Sequence, residues 1–342
     1  MLKIFNPPLE VALTDTLESL WSSAFGEGFV TDVPNSLLTE REPLPHKVDV
    51  YAHEIGEKLV SSAVLIVGGC SPLLGGLGEV STAPSFRGSG LATDLCREVV
   101  NDFFDSCGKA LFLGTTNPAA ARIYSKLGWK YIPFTQLMVN MGQGTSYKEF
   151  IDDYFSTASP KLIKRGEMSS RIPMIPLAIA HTDWVLLDIN IELLSTLKEE
   201  QESCLGLFRR YDQIRMDNNG EFFTLNGDHD RLLGLSTAVE KYEGHYLIDG
   251  FTHPSHKDSF IDLLKAALNW CEAEGLNSCT MEIADTDQEK AELAGALGFK
   301  PTGEKSGFKG KYISYNTSIY TCLLYTSPRP RAATLSRMPS SA

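Results

Sequence analysis

Apolar and polar positions recur along this chain with two periods, near two and near four residues, and the switches between them mark its elements. Residues 2–5 read as a short strand, and residues 9–25 as an amphipathic helix with Leu13, Leu17, Leu20 and Trp21 on one side. Residues 49–53 and 59–67 read as hairpin strands around Gly56-Glu57, and a glycine-rich connection over 68–78 leads into a strand carrying Glu79. Pro84 cannot continue a ladder, so that strand stops there. A helix begins near Gly90, where Leu91, Leu95, Val99 and Phe103 recur every four residues, and Gly108 stands where it should end. Residues 110–114 form the next strand, and strand, helix, strand with connections this short implies a parallel pair with a right-handed crossover. Asn117 has the chemistry of an N-cap, Pro118 suits the first helical position, three alanines favour helix and Gly128 closes it. Closing strands follow over 131–140.

Residues 142–180 are less regular, with a helix-like aromatic piece at 147–155 and a proline-interrupted segment at 171–177. From residue 181 the order of elements restarts: a helix over 191–205, strands at 221–225, 231–239 and 245–251, a helix over 258–274 and a strand at 278–283. A single shift of 170 residues superimposes Pro84 on Pro254 and Gly128 on Gly298, and pairs Glu79 with Asp249, Arg87 with Lys257 and Trp129 with Phe299. The same shift replaces Gly90 by Phe260, Ala92 by Asp262 and Tyr124 by Ala294.

Composition narrows the picture. At 342 residues with 43% hydrophobic side chains, two domains with their own cores are expected. The net charge of -12 argues against a nucleic-acid partner and favours a cationic acceptor such as an amine. Seven cysteines without a Cys-x-x-Cys spacing, and no suitable histidines beside them, read as reduced thiols of a cytoplasmic protein with no metal. The N-terminus has no long apolar core before a cleavage site, and residues 59–69 are far short of the roughly 20 that a membrane helix needs, so a soluble chain without a membrane partner is expected. The end, from Cys322 through Pro328, resembles the translation of a transposon-end sequencing adaptor, and residues 322–342 are expected to be a non-native tail.

The candidate chemistry lies between Gly78 and Trp129. In the stretch Arg87-Gly88-Ser89-Gly90-Leu91-Ala92, two glycines let an anion approach the main chain just where a helix presents unpaired N–H groups and its positive dipole end, a seat for a pyrophosphate. Glu79 precedes it on the strand, and Tyr124 is delivered from the following helix.

Taken together these residues resemble the GNAT superfamily of N-acetyltransferases. That family's Arg/Gln-x-x-Gly-x-Gly/Ala loop is matched by Arg87, Gly90 and Ala92, and its Asn-x-x-Ala-x-x-x-Tyr-x-x-x-Gly-aromatic pattern by Asn117, Ala120, Tyr124, Gly128 and Trp129. The resemblance implies an α/β fold with a mixed sheet, the acyl-CoA N-acyltransferase fold, in two tandem units. Residues 1–140 would be the catalytic domain, 141–180 a bridge, 181–321 a degenerate second copy unable to bind CoA in the same manner, and 322–342 the tail. It also implies acetyl-CoA as co-substrate and transfer to a primary amine of a small molecule or peptide through a ternary complex. Residues 87–92 would seat the pyrophosphate with help from Asn117. Val80, Ser81 and Thr82 would line the pantetheine arm, with a main-chain N–H near Val80 polarising the thioester. Glu79 would be the general base and Tyr124 would protonate the leaving thiolate. Thr82 departs from the apolar residue common in the family. Acceptor selectivity is assigned to residues 26–47, the bridge and the second unit. A different class of function keeps the same loop: a catalytically silent acyl-CoA-binding module whose second domain recruits a protein partner.

Overall fold

The computed structural model describes residues 1–26, 31, 38–39, 46–68, 74–144, 146–201, 204–242 and 244–324. The first half contains β1 (Leu2–Phe5), α1 (Val11–Phe25), β2 (His46–Ile55), β3 (Lys58–Gly68), β4 (Leu74–Thr82), α2 (Leu91–Asp105), β5 (Ala110–Gly114), α3 (Pro118–Lys126), β6 (Lys130–Tyr131) and β7 (Leu137–Asn140). Its seven strands run in the order β1-β2-β3-β4-β5-β7-β6. Every pair is antiparallel except β4 with β5, the two strands joined through the α2 crossover.

The sheet is covered on both faces because its helices are apolar on one side only. α2 buries Leu95, Val99 and Phe103, which pack with Leu65, Leu77, Leu111, Tyr124 and Trp129. On the opposite face α1 buries Leu17 and Trp21 against Val50, Val64 and Ile66, and this second core continues without a break into the other half through Leu205, Phe208 and Phe251.

The second half contains α4 (Tyr147–Ser156), β8 (Pro160–Arg165), α5 (Met174–Ala178), β9 (Leu186–Asp188), β10 (Leu193–Leu194), α6 (Gly206–Met216), β11 (Gly220–Gly227), β12 (Leu232–Tyr242), β13 (His245–Thr252), α7 (Phe260–Ala273), β14 (Ser278–Ala284), α8 (Gln288–Ala296), β15 (Lys300–Lys309) and β16 (Ser314–Leu323). Its main sheet has the order β8-β11-β12-β13-β14-β16-β15, again with one parallel pair, β13 with β14. Strand for strand this is the topology of the first sheet. The 170-residue shift carries α3 onto α8 end to end, Pro84 and Pro254 each open a 3-10 turn, and Gly128 and Gly298 share a left-handed φ of 100° and 88°.

Three expectations change. The helix expected over 191–205 is absent: a 3-10 turn at Ile189–Ile191 leads into β10, and the helix starts only at Gly206. Glu192 at φ 55° interrupts any helical path, and the backbone bonds elsewhere instead, Ser195 N–H reaching the carbonyl of Val185 at 3.0 Å. The stretch read as a bridge supplies β8, an edge strand of the second sheet. Finally, β16 runs through residues assigned to the tail. Cys322 pairs with Cys279, and Leu324 N–H donates to the carbonyl of Asn277 at 2.8 Å, while residues 325–342 lie outside the described residues. Most of the expected acceptor wall, 27–30, 32–37 and 40–45, also lies outside them.

Candidate active site

The site originates in a bulge. Ser62 of β3 is opposite Ser81 of β4, but Val64 is opposite Gly78, so Glu79 and Val80 together face the single residue Ala63. Glu79 takes φ 51°, a left-handed conformation that costs a non-glycine residue about 1–3 kcal/mol unless its surroundings enforce it. A buried polar ladder on β3 does so. Ser62 Oγ donates to the carbonyl of Glu79 at 3.2 Å, accepts the indole N–H of Trp21 at 2.9 Å and stands 2.9 Å from Ser81 Oγ. Beside it Ser61 Oγ donates to the carbonyl of Ser81 at 2.6 Å and lies 2.9 Å from Thr82 Oγ1. Both serines are fully buried, so their hydroxyls are committed to this backbone rather than to water.

The bulge parts the central strands. β4 and β5 are paired only from Leu74–Ala110 to Gly76–Phe112, and beyond that point a cleft of about 350 Å³ opens between them. Gly78, Glu79 and Val80 line one wall and Leu113, Gly114, Thr115 and Thr116 the other, with Asn117, Ala120 and Tyr124 on the α2–α3 face. Phe25, Cys204 and Leu205 line it from the α1 face, so the cleft passes through the sheet.

Each expected residue has a definite place. The Glu79 carboxylate is buried in the cleft wall, and its Oε1 accepts from Thr31 Oγ1 at 2.6 Å. The Tyr124 ring is buried against Trp129, with centroids 5.8 Å apart. Burial first, and the nearby Cys96 second, hold its phenol well above the usual tyrosine range, so it remains a proton donor at ordinary pH. Asn117 caps α3, its Oδ1 accepting from Ala119 N–H at 2.9 Å and Ala120 N–H at 3.5 Å. Gly88 and Gly90 have φ of 81° and 88°, and a Cβ on either would meet nothing within 4 Å. No side chain caps the α2 N-terminus, so Leu91 and Ala92 begin a helix whose first N–H groups have no intrahelical acceptor. Left-handed glycines opening outward beside such a turn fit a pyrophosphate. Ser89 donates to the carbonyl of Phe86 at 2.5 Å and tightens the loop.

Arg87 also braces the scaffold. Its Nε donates to the carbonyl of Thr82 at 3.2 Å and its Nη2 to that of Ala24 at 3.0 Å, tying the end of β4 to the end of α1. Sequence reasoning placed Trp21 only on the apolar side of its helix and missed Ser61 and Ser62, whose one signal was a polar pair inside an otherwise apolar strand. It also missed Leu205 and Cys204, which reach the cleft from the other half.

In the second half the corresponding opening is filled. β13 and β14 pair only at Tyr246–Cys279 and Leu247–Thr280, and β12 stays in register with β13 past Asp249, so no bulge forms there. Residues 185–190 run into the gap. Asn190 Nδ2 donates to the carbonyl of Leu247 at 2.8 Å, and Ile189 N–H donates to Asp249 Oδ2 at 2.8 Å. Lys290 Nζ lies 2.5 Å from Asp249 Oδ1 and donates to the carbonyls of Leu186 and Leu187 at 2.9 and 3.2 Å. Asp188 accepts from Thr237 Oγ1 at 2.9 Å. Asp188, Asp249 and Lys290 are all fully buried.

The first half is thus a seven-stranded mixed sheet parted at a bulge, with an uncapped, glycine-flanked helix terminus at one end of the gap. Residues 12–132 match the family model described as acetyltransferase (GNAT) domain. No curated protein matches the chain. Solved structures similar to it include a GNAT-family acetyltransferase of Streptococcus pneumoniae (13% identity, TM-score 0.37, covering 48% of this chain and 99% of that one). Another is the spermidine/spermine N-acetyltransferase SpeG of Vibrio cholerae (16%, 0.35, 47% and 91%). A third is a GNAT superfamily phosphinothricin acetyltransferase of Sinorhizobium meliloti in complex with AcCoA (14%, 0.39, 53% and 100%). No helix among the described residues is long and apolar enough to cross a membrane.

Proposed function

We propose that the first half transfers the acetyl group of acetyl-CoA to a primary amine of a small molecule or peptide by direct attack. The observation that carries this reading is the cleft at the Glu79–Val80 bulge, with a carboxylate on one wall and a buried phenol on another. The loop from Arg87 to Ala92 and Asn117 would hold the cofactor, with its pantetheine arm running back along Thr82, Ser81 and Val80. Neither Glu79 nor Val80 has a register partner on β3, which makes the Val80 N–H the candidate donor to the thioester carbonyl, a contact worth about 3 kcal/mol in the transition state. Holding amine and thioester in attack geometry supplies about 7 kcal/mol or more. Glu79 takes the proton of the acceptor ammonium, directly or through water. The amine lone pair forms the C–N bond, the C–S bond breaks, and Tyr124 gives its proton to the departing thiolate; the second proton, shed by the nitrogen as the amide forms, restores the phenol through solvent. The net charge of -12 supports a cationic acceptor. The second half, with its cleft filled, serves as a partner domain that binds no CoA.

A thiol-release assay on the full chain, with acetyl-CoA and a panel of polyamines, aminoglycosides, amino acids and short peptides, tests this. Turnover on one acceptor class, lost in a Glu79→Gln/Tyr124→Phe double variant, is expected. Acetyl-CoA binding without thiol release from any acceptor would sink the catalytic reading in favour of a silent acyl-CoA-binding module.

A further inference from the structure

We infer that Leu205, a residue of the second half, sets the length of the acyl group that the first half accepts; this rests on the acyl-CoA reading above. Direction along β4 carries the inference. The anion loop follows the C-terminal end of β4, so a cofactor seated at residues 87–92 extends its arm toward lower residue numbers, past Thr82 and Val80. Its acyl end is then directed to the base of the cleft, where β4 and β5 come together at Gly76 and Phe112.

Leu205 covers that base. It is buried on the α1 face of the sheet and lies directly over two glycines of β4. A Cβ on Gly76 would stand 2.6 Å from Leu205 Cδ2, and one on Gly78 would stand 2.7 Å from Leu205 Cδ1. Any side chain at either glycine would therefore collide with the isobutyl group unless it shifted. The two bare positions let Leu205 rest on the strand itself, and its methyl groups occupy space that a longer acyl chain would need. Cys204 and Phe25 line the cleft from the same side as Leu205, and Leu77 and Leu113 line it from the opposite face of the sheet. Among the described residues, the α1-face lining consists of Phe25, Cys204 and Leu205, two apolar side chains and one thiol, so chain length rather than polarity is what this wall can discriminate. One methylene in an apolar pocket changes selectivity by about tenfold or more.

Calorimetric titration of the full chain with acetyl-, propionyl-, butyryl- and hexanoyl-CoA reads the effect without an acceptor. The unsubstituted chain is expected to bind acetyl-CoA more tightly than butyryl-CoA. In Leu205→Ala the ratio of the two Kd values should move toward the longer chain by about tenfold. Leu205→Met keeps the buried volume if the alanine variant unfolds, and its more flexible side chain should move the ratio the same way by a smaller factor. Unchanged ratios in a folded variant that still binds acetyl-CoA would overturn the inference and leave the acyl-CoA reading intact. Absence of binding by the unsubstituted chain to every acyl-CoA would overturn that reading and the inference with it.

Discussion

The hydroxyl of Ser62 donates to the main-chain carbonyl of Glu79 across 3.2 Å, from a strand neighbour to the residue that distorts β4. The same oxygen receives the indole N–H of Trp21, so helix α1 and the bulge are joined through one atom. Ser62→Ala leaves both a buried donor and a buried acceptor without their partner, and should cost about 1–3 kcal/mol of stability. The expected loss extends to turnover, because the strained φ of Glu79 is then less firmly enforced. Chemical denaturation and thiol release measured on the same preparation check the two effects; a variant with wild-type values for both would show that the bulge holds itself.

Tyr124→Phe should lower kcat by about a hundredfold while changing acetyl-CoA affinity little, since only the proton donor is lost. Burial raises the phenol pKa, so the neutral, donating form persists as pH increases. Loss of activity between pH 8 and 10 is therefore expected to have another origin. A pH–rate profile whose alkaline limb vanishes in the phenylalanine variant would contradict that assignment.

The buried carboxylates of the second half predict a stability profile of opposite slope to the usual one. Burial, then repulsion from Asp249, raises Asp188 to about 7, above its ordinary value of 3.8. The folded state thus holds a proton that the unfolded chain releases near pH 4, and the stability this contributes is present at low pH and lost as pH rises through about 7. Denaturant midpoints at pH 5 and pH 8 should differ in that direction, and Asp188→Asn, neutral throughout, should flatten the difference. A slope unaltered by the substitution would assign the pH dependence to other groups.

Lys290→Met should be severely destabilising, by about 3–5 kcal/mol, because it removes the cation from a fully buried carboxylate pair. Denaturant unfolding of this variant is the check. A companion measurement is the stoichiometry of acetyl-CoA binding to the unsubstituted chain, expected to be one per chain because residues 185–190 already fill the second opening.

The elements from β4 to α3 were legible because their signals are local. Pro84, the paired glycines, the four-residue apolar repeat of α2 and the Asn117 cap each act within a turn or two of chain. The turns common to the two halves were legible for the same reason: Pro84 and Pro254 each open a 3-10 turn, and Gly128 and Gly298 are both left-handed. The bulge was not legible: Glu79 and Val80 look like ordinary alternating strand residues, and their displacement depends on hydroxyls of β3 some 17 residues away in sequence. Residues 191–205 misled because Ile191, Leu194 and Leu205 are apolar for tertiary reasons. One end of the segment packs into the second half, and Leu205 packs onto the first. Their spacing mimics a helix that Glu192 at φ 55° does not permit.

The segment that fills the second opening is tethered to the site it occupies. An occupant on the same chain is present at an effective concentration set by its tether, which no metabolite pool can dilute. The second sheet is therefore occupied independently of the supply of acyl-CoA, whereas on the proposed function the first would be loaded and emptied with that supply. Two copies of one topology thus answer to different variables. Lowering the acyl-CoA level should loosen the first half alone, and the second would remain a rigid internal wall against which the emptied half can refill.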